Sequence, residues 1–267
     1  MLNTYTLLLA PNSSLMTGTG TNTLVLGGGE DGALVIDPAD DNPAHLEAII
    51  REGNSRGGIR RILITHGHPD HIGGAERLRT QLGVPISAFS REGTPILDQS
   101  VPDGTLFSVN GDTLRALYTP GHRFDHLCFF LEGERILFAG DLISGITTNV
   151  IIPPEGDMLA YFNSLKKLQQ LDIAKIVPGH GSEIMDAQTR VSEYIAHRLQ
   201  REQQVIEALR ALSPGATIPT LVKYIYVDVD PRLHPVATWT VEAHLIKLEG
   251  EGKVRHTEEN GWELVKK

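Results

Sequence analysis

"THGHPDHIGG", residues 65–74, sets three histidines and an aspartate within six positions and follows them with two glycines. Histidine is a poor helix former and an uncommon core residue, so its concentration here asks for a chemical reason. The run before it, "RRILITH", is apolar and β-branched and reads as a strand ending at His66. The run after it, "GGAERLRTQLG", has helical periodicity. The stretch is therefore a strand-to-helix connection. Within it His66 and His68, two apart, can turn their rings to one side. Asp70 and His71, at the helix start, can face a second point nearby.

Three further candidates stand directly after apolar strands: His122 after "LRALYTPG", Asp141 after "ILFAG" and His180 after "KIVPG". Ligands of layered α/β sheets gather at the carboxyl ends of strands, and four strand ends here each deliver His or Asp. Neutral imidazole and carboxylate suit a borderline cation such as zinc, with manganese or iron as the alternatives. Five histidines and two carboxylates exceed the needs of one tetrahedral ion and suit two. His66, His68 and His122 would hold the first, and Asp70, His71 and His180 the second, with Asp141 bridging. Two neighbouring ions can share a water and lower its pKa, which is hydrolytic machinery. Asp37, closing "ALVID", either orients a ligand imidazole or opens an Asp-Pro turn. His126 is either a support for the site or a polar residue at a strand start. His45, His197, His234, His244 and His256 fall on helix or hairpin surfaces and read as solvated. Asp125 reads as a nearby carboxylate outside the set.

Outward from these motifs, strand-like runs ("TNTLVLGG", "EDGALVID", "HLCFFLEGERILFAGD") alternate with helical ones ("NPAHLEAIIREG", "DMLAYFNSLKKLQQLD"), the pattern of an α/β layered domain. Glycines 27–29 read as a turn, since the spacing of a nucleotide-binding loop is absent. From about Asp186 the character changes: one long amphipathic helix closed by "SPG", two more helices, then a hairpin, Lys253–His256 and Trp262–Val265 around a polar turn. That is the outline of a winged helix, and it divides the chain into residues 1–195 and 196–267.

The 267 residues, 40% hydrophobic and 21% charged, suffice for one large domain with an appendage. No apolar run approaches a membrane span, and the apolar patch near the start is too short for a signal peptide. The single cysteine, Cys128, lies in "LCFFL" and reads as a buried strand residue. A cytoplasmic setting is the expectation. Charge bears on partners. From His197 onward ten Lys/Arg meet ten Asp/Glu, which leaves 14 basic and 23 acidic residues before it, a net charge of −9. Neither part is basic, so nucleic acid is an unlikely partner.

"THGHPDHIGG", "TPGH", "AGD" and "VPGHG", in this order across residues 17–183, resemble the metallo-β-lactamase superfamily. "TGTGTNTLVLG", "YFNSLKKL" and "YIAHRLQREQQVIEAL" with the winged-helix outline resemble its lactamase-beta-like subgroup, which includes a mitochondrial endoribonuclease and thioesterases of polyketide pathways. The resemblance implies an αββα sandwich with a dinuclear site at one edge. Two departures mark this chain: Arg123 and Phe124 follow "TPGH", where Thr or Ser is usual, and Pro153-Pro154 stands where an acidic stretch is expected.

The leading reading is a dinuclear metal-dependent hydrolase of a small or carrier-bound ester, thioester or lactone. A bridging hydroxide attacks, and Asp70 orients it while remaining a ligand. Phe124 is expected to offer apolar contact to an acyl chain, and Arg123 to present charge near the ions. The alternatives are an endoribonuclease or phosphodiesterase, and a regulatory or DNA-binding module acting through the winged helix. The appendage is expected to pack over the site or to form a homodimer contact.

Overall fold

A computed structural model describes residues 4–212, 215–257 and 261–265 of the chain. Ser213 and Pro214 of the helix-closing "SPG", and residues 258–260 of the hairpin turn, lie outside the described residues.

The first sheet has six strands in chain order: β1 (Tyr5–Leu9), β2 (Asn22–Gly27), β3 (Ala33–Ile36), β4 (Ile59–Leu63), β5 (Ile86–Ala88) and β6 (Gln99–Ser100). Its first two pairings are antiparallel and the rest parallel, each parallel step needing a crossover. Helix α1 (Pro43–Ser55) supplies the first crossover; α2 (Pro69–Ile72) and α3 (Ala75–Leu82) supply the second. Helix α1 starts where Asn42 accepts the Ala44 and His45 amides and Pro43 presets the first turn. The second sheet holds five strands: β7 (Leu106–Val109), β8 (Asp112–Tyr118), β9 (Leu127–Leu131), β10 (Ile136–Gly140) and β11 (Lys175–Pro178). Only β10 and β11 pair in parallel there, connected through α4 (Met158–Gln169).

Strand alternation makes the layers. Leu24, Leu26 and Ile36 of the first sheet meet Leu127, Phe129 and Leu131 of the second. The opposite face of the first sheet, with Val25, Val35 and Ile62, packs on Leu46 and Ile49 of α1 and Leu78 of α3. The opposite face of the second, with Cys128 and Phe130, packs on α4 and on α5 (Ala187–Ala211). The order is helix, sheet, sheet, helix, and Cys128 is a buried strand residue as expected.

Helix α5 carries the chain from the sandwich into the C-terminal unit of α6 (Ile218–Ile225), α7 (His234–Gly250) and the hairpin β12 (Val254–His256) and β13 (Trp262–Leu264). Leu209, Leu221, Val241, Leu245 and Trp262 form that unit's core. Ala243 of α7 joins the core that lies beneath the second sheet. Among the described residues no helix is long and apolar enough to cross a membrane.

Candidate metal centre

Four strands end at one edge of the sandwich, and each hands over to a loop bearing a His or Asp: β4 to His66, β8 to His122, β10 to Asp141, β11 to His180. The β4 loop also carries His68, whose backbone opens α2, and α2 itself carries Asp70 and His71. All seven sequence candidates come together. Three sets have donor atoms within 4.8 Å of one another: His66, His68 and His122; His66, His71 and Asp141; and Asp70, His71 and His180.

The detailed distances place Asp141 between the two outer sets. Its Oδ2 is 3.5 Å from His122 Nε2, and its Oδ1 is 3.5 Å from His71 Nε2 and 3.3 Å from His180 Nε2. Asp70 Oδ2 lies 3.3 Å from His180 Nε2. Close glycines make room: a Cβ on Gly179 would stand 2.8 Å from His71 Cε1 and 2.9 Å from Asp141 Oδ1. Gly140 has φ +47°, and a Cβ there would stand 2.7 Å from His126 Nε2.

Hydrogen bonding fixes which nitrogen of each ring faces the cluster. His71 Nδ1 donates to Asp37 at 2.8 Å, His122 Nδ1 to the Val150 carbonyl at 3.0 Å, and His180 Nδ1 to the Gly20 carbonyl at 3.4 Å. His66 Nδ1 donates to Thr65 Oγ1 at 3.1 Å, because that hydroxyl gives its own hydrogen to Asp37 at 2.6 Å. Each of these four rings therefore turns its Nε2 inward. His68 is reversed: its Nδ1 lies 2.9 Å from His66 Nε2 and 3.1 Å from His122 Nε2. A hydrogen on His68 Nδ1 can satisfy one of those two nitrogens but not both, whereas a cation set among the three would satisfy all of them, and the edge of a tetrahedral zinc–nitrogen site is about 3.3 Å. The buried Asp141 Oδ1 has no hydrogen-bond partner, as a carboxylate oxygen reserved for a cation would. The residues present fit metal ions.

Proton affinity divides the rings differently. Burial, then the neighbouring imidazoles, hold His66 well below its ordinary value and His68 down at about 4, so both are neutral donors. Burial opposes charge on His180, but the close carboxylates of Asp141 and Asp70 prevail and raise it to about 9.

Asp37 is an orienting group, not merely a turn residue: it accepts from the Thr65 amide and hydroxyl and from His71. His126 is a support. Its Nε2 accepts the Asp141 amide at 3.0 Å, and its Nδ1 pairs with Thr119 Oγ1 at 2.9 Å. Four expectations need correction. Asp125 is not a bystander: it is buried, accepts the Gly67 amide at 3.0 Å and pairs with Arg123. Arg123 is spent on that pair and on Glu155, and neither it nor Phe124 lines the cavity over the site. His45 and His244 are buried rather than solvated, His45 reaching Thr23 Oγ1, whose hydrogen goes to the Asp37 carbonyl. His197 is half-buried and lines the cavity.

That cavity, about 550 Å³, opens over His68, Asp70, His122, Asp141 and His180. Its walls are mostly apolar and come from both parts of the chain: Leu15, Ile146 and Ile152 from the sandwich, Tyr226, Val236 and Ala237 from the C-terminal unit. Helix α5 holds the loop after Asp141, with Tyr194 Oη on the Ser144 amide and Arg198 on the Asn149 carbonyl. Tyr194 and Arg198 stand in the "YIAHR" run that carries part of the resemblance, but nothing in it beyond their spacing of four on α5 points to this role.

The model of the metallo-beta-lactamase superfamily matches residues 16–180, and that of the beta-lactamase associated winged helix domain matches residues 217–262. Lactamase-like protein adaB of Aspergillus niger is 34% identical over 261 residues, covering 92% of this chain and 80% of its own. Atrochrysone carboxyl ACP thioesterase of Aspergillus chevalieri is 34% identical over 259 residues, covering 92% and 82%. The crystal structure of a metallo-beta-lactamase family protein from Thermus thermophilus superposes with a TM-score of 0.80 at 23% identity, covering 99% of each chain, a likeness of fold.

Proposed function

The chain belongs to the metallo-β-lactamase superfamily, as a hydrolase with a C-terminal winged helix, and on that premise we propose that it cleaves a small or carrier-bound ester, thioester or lactone with the aid of two divalent cations, zinc foremost. The observation that carries the reading is Asp141 set between two histidine clusters on the floor of a mostly apolar cavity. His66, His68 and His122 would hold one ion and Asp70, His71 and His180 the other, with Asp141 shared. Bound there, the ions supply a nucleophilic water at neutral pH and polarise the scissile carbonyl.

The chain's own groups do the rest. Asp37, Thr65 and the Val150 carbonyl keep the imidazoles in the tautomers that face the cluster. Asp70, half-exposed on the cavity side, is placed to orient the attacking water while remaining a ligand. Apolar walls exclude bulk water and receive an acyl body.

Thioesters gain support from the relative at 34% identity whose name is that of a carrier-protein thioesterase. RNA is disfavoured because a long polyanion seeks cations well beyond the site, and the sandwich is acidic. The DNA-binding alternative is weakened by α7 and the segment that precedes it, which contribute Tyr226, Val229, Val236, Ala237 and Thr240 to the cavity wall. In this reading the division after residue 195 separates a catalytic unit from a winged-helix-like lid, and the enzyme works in the cytoplasm. The test is elemental analysis of protein supplied with zinc, manganese or iron, followed by a hydrolysis screen of thioesters, lactones, β-lactams, phosphodiesters and RNA. Near-zero metal in every preparation, or RNA as the sole substrate, would overturn the proposal.

A further inference from the structure

The cavity wall away from the histidine cluster carries charge of the opposite sign to the chain. The protein has a net charge of −9, yet Arg198 and Arg201 of α5 line the cavity, with His197 beside them. The acidic residues that line it, Asp70 and Asp141, both lie against the histidine cluster. Among the described residues neither arginine forms an ion pair with a carboxylate. Arg198 donates to the Asn149 carbonyl and lies 5.2 Å from the Tyr161 ring centroid. Arg201 is half-buried, donates to Gln204 Oε1 at 2.9 Å and lies 4.6 Å over the Tyr226 ring. The buried His197 Nδ1 has no hydrogen-bond partner. Burial, then Arg198 and Arg201, push this imidazole down to about 4, so it is a neutral group able to donate a hydrogen bond.

A guanidinium at an apolar wall without a counter-charge is costly, and an anion arriving there recovers that cost through charge-assisted hydrogen bonds. Arg198 is committed to holding the loop after Asp141, whereas the partners of Arg201 are a neutral amide and a ring. Helical spacing of four puts His197 and Arg201 on the same face of α5. We propose that Arg201, assisted by His197, receives an anionic group, carboxylate or phosphoryl, of the substrate whose scissile bond lies over the histidine cluster, so that the enzyme selects acyl substrates bearing a negative charge away from the reacting carbonyl. This inference rests on the hydrolase reading above. The anion has two chemical sources, the far end of the acyl chain or the phosphate of a pantetheine arm.

The experiment uses the full-length, metal-loaded protein and three thioesters. One is a neutral acyl group on N-acetylcysteamine, the second is the same acyl group with a terminal carboxylate, and the third is the neutral acyl group on phosphopantetheine. Arg201→Gln should lower kcat/KM roughly tenfold or more on one of the two anionic thioesters while changing the neutral one by less than about twofold. The substrate that responds identifies the source, and Arg201→Lys should recover part of the loss. Equal loss on all three, or on none, overturns the proposal. Binding is read separately, by calorimetry with uncleaved amide analogues of the three thioesters. At least one anionic amide should bind roughly tenfold more tightly than the neutral one to the wild type, and Arg201→Gln should erase that preference. A preference that survives in Arg201→Gln removes Arg201 from the site. If no thioester is cleaved but the amide preference depends on Arg201, the anion site stands and the hydrolase reading falls.

Discussion

Asp125 lies outside the histidine motif, yet it shapes the site as much as several residues within it. Its Oδ2 accepts the Gly67 amide between the candidate ligands His66 and His68, while Arg123 neutralises it at 2.8 and 2.9 Å. Removing the carboxylate frees the loop that aims His66 and His68 and leaves Arg123 with a buried, half-paired charge. Asp125→Ala should therefore weaken metal binding by about 10- to 100-fold, measured by competition with a chromophoric chelator. The control is Asp172→Ala, an exposed carboxylate paired with Arg135, which should leave affinity unchanged. Identical affinities in the two variants would return Asp125 to the role of bystander. Asp141→Ala goes further, since this carboxylate faces both outer sets, and metal content and activity should fall together. Full metal occupancy in Asp141→Ala would mean that the shared ligand is misassigned. The contrast shows what was legible at this scale. Asp141 follows an apolar strand and a glycine, a local signal. The importance of Asp125 depends on Gly67, 58 positions away.

Among the elements, α5 shows where reading the pattern succeeds and where it stops. Its length and amphipathic period are plain in the sequence, as are the strands that lead to the candidate ligands, because an apolar face or run marks each. The same periodicity hides the buried polar contacts. Glu202 of α5 is buried against α7, taking Lys247 Nζ at 2.7 Å with His244 Nδ1 at 3.6 Å. Nothing local distinguishes these three residues from solvated ones. Short edge strands were equally illegible: β1 passes for an apolar patch, and β6 has two exposed residues and no period to detect. Burial raises the Glu202 carboxyl, but the nearby His244 ring and the hydrogen bond from Lys247 prevail and hold it at about 2, below its ordinary 4.5. A depressed carboxylate stabilises the fold fully above pH 4.5, and the contribution is lost as pH falls from there through about 2. Glu202→Gln should thus lower Tm at pH 7, and the gap to the wild type should narrow steadily as pH falls below 4.5. Loss of metal in acid affects both proteins alike, so the gap isolates the α5–α7 contact. A gap independent of pH would show that the carboxylate's charge has no part in it.

At the scale of the whole molecule, the alternation of strand and helix runs made a layered α/β domain readable, and the helix–sheet–sheet–helix order came from the family resemblance. How the C-terminal unit sits was not readable, since its placement depends on contacts such as Ala243 against the core beneath the second sheet. The unit contributes none of the seven candidate ligands, all of which lie at or before His180. It does contribute Tyr226, Val229, Leu233, Val236, Ala237 and Thr240 to the cavity wall. Truncation after Arg210 separates these two roles. It should also uncover Val205, Ala208 and Leu209, which face Leu221, Val241 and Leu245 in the intact chain, while Trp239 is already 38% exposed. Exposed apolar faces of that kind promote association, so the truncated protein should be less soluble and should bind a dye sensitive to apolar surface. Its metal content per folded chain should stay near that of the full-length protein, because the ligands and their supports remain. Its kcat/KM should fall most for long acyl substrates, which rely on the missing wall, and least for the shortest. A truncation that keeps full activity on every chain length would reduce the C-terminal unit to an appendage, and one that folds but takes up no metal would make it part of the centre itself.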